Sequence, residues 1–482
     1  MRRAAALLLL PAFFCACAGP RPNRAPLPVQ AAAAAQALPG PELSDEAFLE
    51  DLEHRTFRFF WERAVPKSGL IPDRWPTKSF SSIAAVGFAL TAYPIGAERG
   101  YVTRAQAAER ALETLRFLYD APQGPEAAGR AGYRGFFYHF LDMDSGTRFK
   151  DVELSTIDTA LLMAGVLFCR EYFDRSDARE KAVRDLADRL YRRVEWDWPR
   201  PNTPLVNMGW DPEKGFKPLD WRGYDESMIL YILALGSPTH PVEPSAWSEF
   251  TKTYVWGPFQ GLEFLQFGPL YGHQYSHIWI DFRGIQDAYM KEKGIDYFEN
   301  SRRAAYAHRS YAQKNPGGFA GYDRTVWGIT ACDGPADKVL AVHGATVAFH
   351  TYAGRAAGAT WTNDDGTLAP TGAGGMIPFA PEIAVPALRE MVRRYGADLY
   401  SEYGFLDAFN PSFTFADAPP QMGRVVPGKG WFGTDYLGID QGPLLAMAEN
   451  RRSGLIWKAL NKSPYILEGL RRAGFTGGRL GP

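Results

Sequence analysis

The chain has 482 residues, 46% of them hydrophobic and 22% charged, the balance of a globular protein able to bury a large core. Its 53 basic and 54 acidic residues leave a net charge of −1, which gives nucleic acid and anionic membranes no electrostatic hold. Aromatics reach 14%, a content that serves either a large core or the stacking of sugar rings.

Residues 1–18 read as an export signal: Arg2 and Arg3 precede the apolar run Ala4–Phe14, which is too short to span a bilayer. Two processing sites compete. Ala16-Cys17-Ala18 before Gly19 is an A-x-A-like cleavage site, and Phe14-Cys15-Ala16-Cys17 is a loose lipobox. The polar segment that follows favours lipidation at Cys17, so the expectation is an exported protein, periplasmic or anchored to the outer membrane as a lipoprotein. Residues 19–43, with six prolines between Pro20 and Pro41 and an alanine tract, read as a tether. A single folded domain is expected over 44–482, opening at Ser44, an N-cap followed by Asp45 and Glu46. Only Cys169 and Cys332 remain beyond the leader, and both read as free and buried.

From Ser44 onward two kinds of helix alternate. The charged, amphipathic kind covers 44–63, 103–119, 177–194, 297–313, 388–395 and 453–473. The nearly uncharged kind covers Ile83–Ile95, Thr159–Phe168, Met228–Leu235, Gly284–Met290, Ile377–Ala387 and Gly442–Ala448, with Val339–Ala353 as a further apolar candidate. A helix apolar on every side must be buried, and one with a charged stripe lies at the surface. Six of each predict an inner ring of helices inside an outer ring, an all-α (α/α)6 barrel. Long aromatic, Gly/Pro-rich segments at 66–81, 121–152, 196–224, 254–282, 315–336 and 402–440 link the helices, and loops of that length in a compact domain are functional candidates.

The G-x-S-x-G, P-loop, H-E-x-x-H and paired C-x-x-C signatures are absent, which disfavours serine esterases, P-loop hydrolases and zincins. Carboxylates set among aromatics remain, a pairing that serves glycoside cleavage. Three groups precede buried helices. Asp151-Val-Glu153-Leu-Ser155-Thr-Ile-Asp158 offers Glu153 and Asp158, although Ser155 and Asp158 also have the spacing of a helix cap. Trp221-Arg-Gly-Tyr224-Asp225-Glu226-Ser227 places Glu226 at the head of an uncharged segment, where burial would raise its pKa as a general acid requires. Trp431-Phe-Gly-Thr-Asp435-Tyr-Leu-Gly-Ile-Asp440-Gln441 offers Asp440, with Trp431 and Gln441 beside it.

The stretch Tyr271–Ala304 is the densest mixture of rings and polar groups in the chain. His273, His277 and Asp281 recur every four residues, a metal-like stripe if helical. Gly272 and the run Tyr275, Ile278, Trp279, Ile280 favour extended or irregular backbone instead, so no metal is expected. His273, Tyr275 and His277 then read as a wall that hydrogen-bonds sugar hydroxyls, stiffened by Asp281 and Arg283. Arg74-Trp75, Tyr322, Trp327 and Trp361 extend the aromatic rim of an elongated carbohydrate cleft.

The blocks GHQYSHIWIDFRGIQD, IDYFENSRRA, NPGGFAGYDRTVWGITACDGP, ESMILYILALGSPTHP and IDQGP together resemble the glycoamylase-like domain family, whose characterised members include the β-1,2-glucanases of glycoside hydrolase family 144. The resemblance covers about residues 45–475. It implies an (α/α)6 barrel, no cofactor, and hydrolysis of β-1,2-glucan or its oligosaccharides with inversion. Glu226 and Asp440 match acidic positions of the family, with Glu153 and Asp158 as further candidates. The expected mechanism is a single displacement in which Glu226 protonates the leaving oxygen and Asp440 or Glu153 activates water. Other members act on other linkages or transfer glycosyl groups, and a non-catalytic glycan-binding lipoprotein is the rival from another class. A monomer is expected.

Overall fold

The computed structural model describes residues 38–40, 43–201 and 204–481. The export signal, Cys17 and nearly all of the tether lie outside the described residues. Fifteen helices follow one another among them: α1 (Asp45–Arg63), α2 (Ile83–Glu98), α3 (Arg104–Asp120), α4 (Thr156–Tyr172), α5 (Ala178–Arg193), α6 (Met228–Gly236), α7 (Ser245–Lys252), α8 (Tyr275–Trp279), α9 (Ala288–Lys293), α10 (Tyr297–Lys314), α11 (Pro370–Gly374), α12 (Pro381–Tyr395), α13 (Gly438–Arg452), α14 (Leu455–Leu460) and α15 (Pro464–Arg472).

The inner ring runs α13–α2–α4–α6–α8–α11 and back to α13. Between α8 and α11 the link is a side chain, the Gln274 amide donating to the Gly372 carbonyl at 2.9 Å. The apolar helices behave as their composition demands: every residue of α6, and all of α2 from Ile83 to Gly96, is buried. One close wall contact is at two glycines. A Cβ on Gly165 of α4 would lie 2.1 Å from the Gly87 carbonyl oxygen of α2, so only a residue without one lets these backbones meet. Outside lie α1, α3, α5, α7, α10 and α12, each with a polar face, making an (α/α)6 barrel.

Several helix assignments differ from the periodicity. The fourth inner helix is Tyr275–Trp279 rather than Gly284–Met290. The fifth is Pro370–Gly374, and the 377–395 region is mainly the outer helix α12. These inner helices are only five residues long and buried on all sides, so they show no helical period. Ser245–Lys252 supplies an outer helix too short to stand out, and 453–473 is two helices. The apolar stretch Val339–Ala353 is mostly a β-hairpin, Lys338–Val342 against Ala345–Phe349, with Val339 facing solvent. Its alternation has period two, as a half-exposed hairpin requires.

All six inner helices start at the same end of the barrel. The Ser155 and Ser82 hydroxyls cap α4 and α2, Thr371 of α11 donates to the Asp440 carbonyl at the start of α13, and Ser276 of α8 reaches the start of α6. The opposite end is closed by α14, where the Trp457 indole donates to the His277 carbonyl at 2.7 Å. Phe88, Tyr275 and Trp279 fill the interior, Phe88 lying against Trp279 at 5.3 Å. Short antiparallel pairings cross the open end. Arg74–Trp75 pairs with Tyr436–Leu437, and Ala331–Asp333 with Tyr352–Gly354, while Phe136–Tyr138, Leu154–Ser155 and Gly209–Asp211 lie side by side in the largest sheet. Cys169 and Cys332 are free and buried.

Candidate active site

The helix starts that face the open end carry the acids. Glu226 lies two residues before the first residue of α6, and its position is set by the neighbouring helix. The Ser276 hydroxyl accepts from the Ile229 N–H at 2.9 Å and donates to the Glu226 carbonyl at 2.8 Å. Ser227 makes no side-chain cap of its own, so Ser276 caps α6 from across the ring, satisfying an otherwise orphaned N–H. The Glu226 Oε2 is buried and has no hydrogen-bond partner among the described residues. Burial, then the charges of Asp225 and Asp158, hold its carboxyl well above the ordinary range. Asp225 accepts from the Ser227 N–H at 2.8 Å, and burial pushes it up to about 7.

A second group of acids surrounds Arg74. Its guanidinium meets Asp333 at 2.8 Å and Asp435 at 3.6 Å, with Asp73 at 3.5 Å. The strand pairing of Arg74–Trp75 with Tyr436–Leu437 brings this arginine to the start of α13, where Asp440 sits in the first turn. Asp440 caps nothing, and Asp407 is the strongest of the charges that act on it. Burial and the charge of Asp407 push Asp440 well up, and Asp333 reaches about 7 through burial and Asp407 despite Arg74.

The third group is built on His139. Its Nδ1 lies 2.9 Å from Glu153 and its Nε2 3.6 Å from Asp158. Burial opposes charge on this ring, but Asp158 and Glu153 outweigh it and His139 titrates near 9. Glu153 is likewise pulled to about 2, its burial overcome by the bond to His139. Asp158 also accepts the Ser155 hydroxyl, while its own N–H goes to Ser155, so it belongs to both the helix cap and the site.

Three tyrosines join the groups. Tyr271 is in electrostatic reach of Glu226, Tyr275 of both Asp440 and Glu226, and Tyr352 of Asp440, Asp407 and Asp333. Burial first, then these charges, keeps the Tyr271 and Tyr275 hydroxyls protonated. Tyr352 is the cross-strand partner of Asp333 and is 50% exposed, a ring available to a ligand. The four acids named from sequence, Glu226, Asp440, Glu153 and Asp158, therefore gather at one end, with Arg74 and Tyr275 among them.

The expected sugar wall is a correction. His273 and His277 have no exposed surface. The His273 Nε2 meets the Phe267 carbonyl at 3.1 Å, and the His277 Nε2 meets the Ser301 hydroxyl at 3.2 Å. Burial lowers their pKa values to about 4 and about 3, so both are neutral core side chains. Asp281 and Arg283 form an ion pair at 2.7 Å, with the guanidinium over Trp457 at 4.4 Å; α14 closes the barrel there, at the end away from the acids. Trp327 and Trp431 are fully buried, the latter donating to the Met422 carbonyl. The Tyr322 hydroxyl is spent on Asp364 at 2.7 Å, and the Gln441 amide on the Phe405 carbonyl at 2.8 Å. Trp75 is half-buried beneath Arg63, 4.5 Å from its ring. The backbone of Tyr275–Trp279 is helical, not extended, and the stripe of His273, His277 and Asp281 does not converge. No group of three or more His, Cys, Asp or Glu among the described residues is arranged to hold a metal ion.

Sequence reasoning missed His139, Asp407, Tyr352 and the role of Asp333. A signal existed for two of them. His139 interrupts Phe136-Phe-Tyr-His-Phe-Leu141, and Asp407 interrupts Phe405-Leu-Asp-Ala-Phe409. A lone ionisable group in an apolar run is buried, and a buried ionisable group needs a partner.

Comparison with known proteins agrees with this geometry. Residues 218–464 match the Glycoamylase family model, described as "putative glucoamylase". The crystal structure of a protein of the same description from Bacteroides uniformis is 31% identical, with a TM-score of 0.77 over 92% of this chain and 100% of that one. An endo-β-1,2-glucanase from Chitinophaga pinensis is 28% identical, with a TM-score of 0.76 over 90% of this chain and 99% of that one. An exo β-1,2-glucooligosaccharide sophorohydrolase (non-reducing end) from Parabacteroides distasonis is 28% identical over 89% of this chain, which spans only 58% of that relative's length. Fold, matched region and overall similarity together make this chain a member of the glycoamylase family.

Proposed function

We propose that the chain is a glycoside hydrolase acting on β-1,2-glucan or its oligosaccharides, by single displacement with inversion. The observation that carries the chemistry is the gathering of Glu226 and Asp440 at one barrel mouth, each raised by burial and a neighbouring acid. Glu226, with an unpartnered oxygen in a buried setting, keeps its proton near neutral pH and acts as general acid. Asp440, although burial and Asp407 push its carboxyl up, acts as general base once ionised: it takes a proton from water as that water attacks the anomeric carbon, while Glu226 protonates the leaving oxygen. Glu153, pinned to His139, belongs to the charged wall instead. The β-1,2 linkage is supported by the two relatives named for it, one of them solved with sophorotriose and glucose.

The test is incubation with linear β-1,2-glucan, following products by chromatography and their first-formed anomer by NMR. Inversion gives α-anomeric reducing ends, and corresponds to carboxyl groups roughly 6.5–9.5 Å apart. Glu226→Gln should lower kcat by about 10²–10⁴-fold. Near-normal turnover in that variant, retained β-configuration, or binding without cleavage would each overturn the assignment.

A further inference from the structure

We propose that Arg355 is a positioning residue for substrate binding: its guanidinium clamps together the two strands of an arm, 331–354, and so holds the Tyr352 ring at the barrel mouth. The inference rests on the reading of that mouth as the glucan site. The arm leaves the mouth along Ala331–Asp333, projects as the hairpin of Lys338–Val342 and Ala345–Phe349, and returns along Tyr352–Gly354. Its outgoing strand is fixed by groups outside the arm. The Asp333 carboxylate meets Arg74 at 2.8 Å, and the Asp333 N–H donates to the Asp407 carboxyl group at 2.7 Å. The returning strand is held to the outgoing one by a ladder of three residue pairs and by the Gly334 N–H, which donates to the Thr351 carbonyl at 2.8 Å. A ladder this short frays unless something fastens it.

Arg355 supplies the fastening. It follows the returning strand and is 1% exposed. Its Nη1 donates to the Cys332 carbonyl at 2.7 Å and to the Asp333 carbonyl at 3.3 Å, and its Nη2 to the His350 carbonyl at 3.0 Å. One guanidinium thus joins the outgoing strand to the chain two residues before Tyr352. The remaining donors go to Asp365, Nε at 2.7 Å and Nη2 at 2.8 Å. Asp365 is held in turn: it accepts from the Thr367 N–H at 3.1 Å, and its carbonyl from the Asn410 amide at 2.9 Å. Five donors in a rigid plane meet all these acceptors at once, whereas a lysine ammonium has three donors on a flexible stem. The packing around the fork is tight. A Cβ on Gly334 would lie 2.1 Å from the Arg355 Nη2 and 2.2 Å from the His350 carbonyl oxygen, so the guanidinium fills space that any side chain at 334 would need. Arg355 is sealed and matched by Asp365, while Tyr352 is 50% exposed, so the arginine acts on substrate through that ring.

Arg355→Lys separates the clamp from the ion pair, because it keeps a positive charge beside Asp365 and removes the fork. On a β-1,2-gluco-oligosaccharide it should raise KM by about threefold to tenfold, approaching the effect of losing the ring itself. Its kcat should stay within about twofold, the pattern of lost binding shared by ground and transition states. In a Tyr352→Ala background the same substitution should change KM by less than about twofold, since no ring remains to be positioned. Hydrogen–deuterium exchange should quicken in 334–354 and stay unchanged in α2 and α4. Gly334→Ala, which drives the guanidinium and the His350 carbonyl apart and leaves the ion pair in place, should raise KM in the same way and carries the test if Arg355→Lys does not fold. An unchanged KM, a rise of equal size with and without the Tyr352 ring, or exchange that quickens throughout the barrel would overturn the proposal. If the wild type does not cleave β-1,2-glucan, the functional reading fails, and the exchange comparison still decides whether Arg355 holds the arm.

Discussion

Replacing His139 by Asn removes a positive charge from the barrel mouth while leaving a side-chain N–H to meet Glu153. In the folded protein burial opposes the imidazolium, but Asp158 and Glu153 raise it from 6.5 to about 9; Glu153, despite its burial, falls from 4.5 to about 2 against the same ring. Each displacement corresponds to about 3.5 kcal/mol at about 1.4 kcal/mol per pH unit. They describe largely one interaction from its two ends, so they are counted once. Both side chains are 30% exposed, and solvent screening reduces the expected worth to about 2 kcal/mol. The His139 contribution is complete below pH 6.5 and lost as pH rises through 9. The Glu153 contribution is complete above pH 4.5 and lost as pH falls through 2. The full effect thus falls between pH 4.5 and 6.5. Unfolding entropy of about 2.1 cal/mol/K per residue makes 1 kcal/mol worth roughly 1 °C in a chain this long. Thermal unfolding at pH 5.5 should place His139→Asn about 2 °C below the wild type, and the two should coincide by pH 10. Asp73 also faces this histidine, so Asp73→Asn should lower its pKa in a 13C-histidine titration. A deficit of the same size at pH 5.5 and pH 10 would show that packing, not charge, is what the ring supplies.

Gly165→Ala puts a methyl group 2.1 Å from the Gly87 carbonyl oxygen, and the backbones of α2 and α4 must part. Urea unfolding should report a loss of about 1–3 kcal/mol, and an unchanged midpoint would refute the tight contact. Tyr352→Ala removes a half-exposed ring beside Asp440 and should raise KM about fivefold to tenfold, for a loss of about 1 kcal/mol in stacking; an unchanged KM would exclude it from the substrate path. His277→Gln should lower the melting temperature without altering KM, since His277 is sealed in the core, and a selective rise in KM would restore it to a sugar-binding role.

The alternation of apolar and charged helices was legible because it depends on local composition. An uncharged segment such as Met228–Gly236 has nowhere to go but the interior, and a segment such as Ala178–Arg193 must keep its charged face in water. The caps at Ser44 and Ser155 were legible for the same reason, since a hydroxyl three residues ahead of a backbone N–H needs no distant partner. The five-residue inner helices were not, because a helix buried on every side shows no period. Candidate acids could be found in sequence, but not their environments. The Tyr271–Ala304 stretch shows the difference most directly. Its polar density reads as a ligand wall, yet Ser276 is used to cap α6 and hold Glu226, Gln274 to close the ring, and the histidines to satisfy core groups.

By itself, then, the sequence determined an inner and an outer set of helices and the acids at their starts, because burial and capping are decided within a few turns of chain. Tertiary structure alone decided that these starts face one mouth. It also decided that His139, Asp333 and Asp407, from three separate loops, set the charge of Glu153 and Asp440, because electrostatic coupling depends on distance in space and not along the chain.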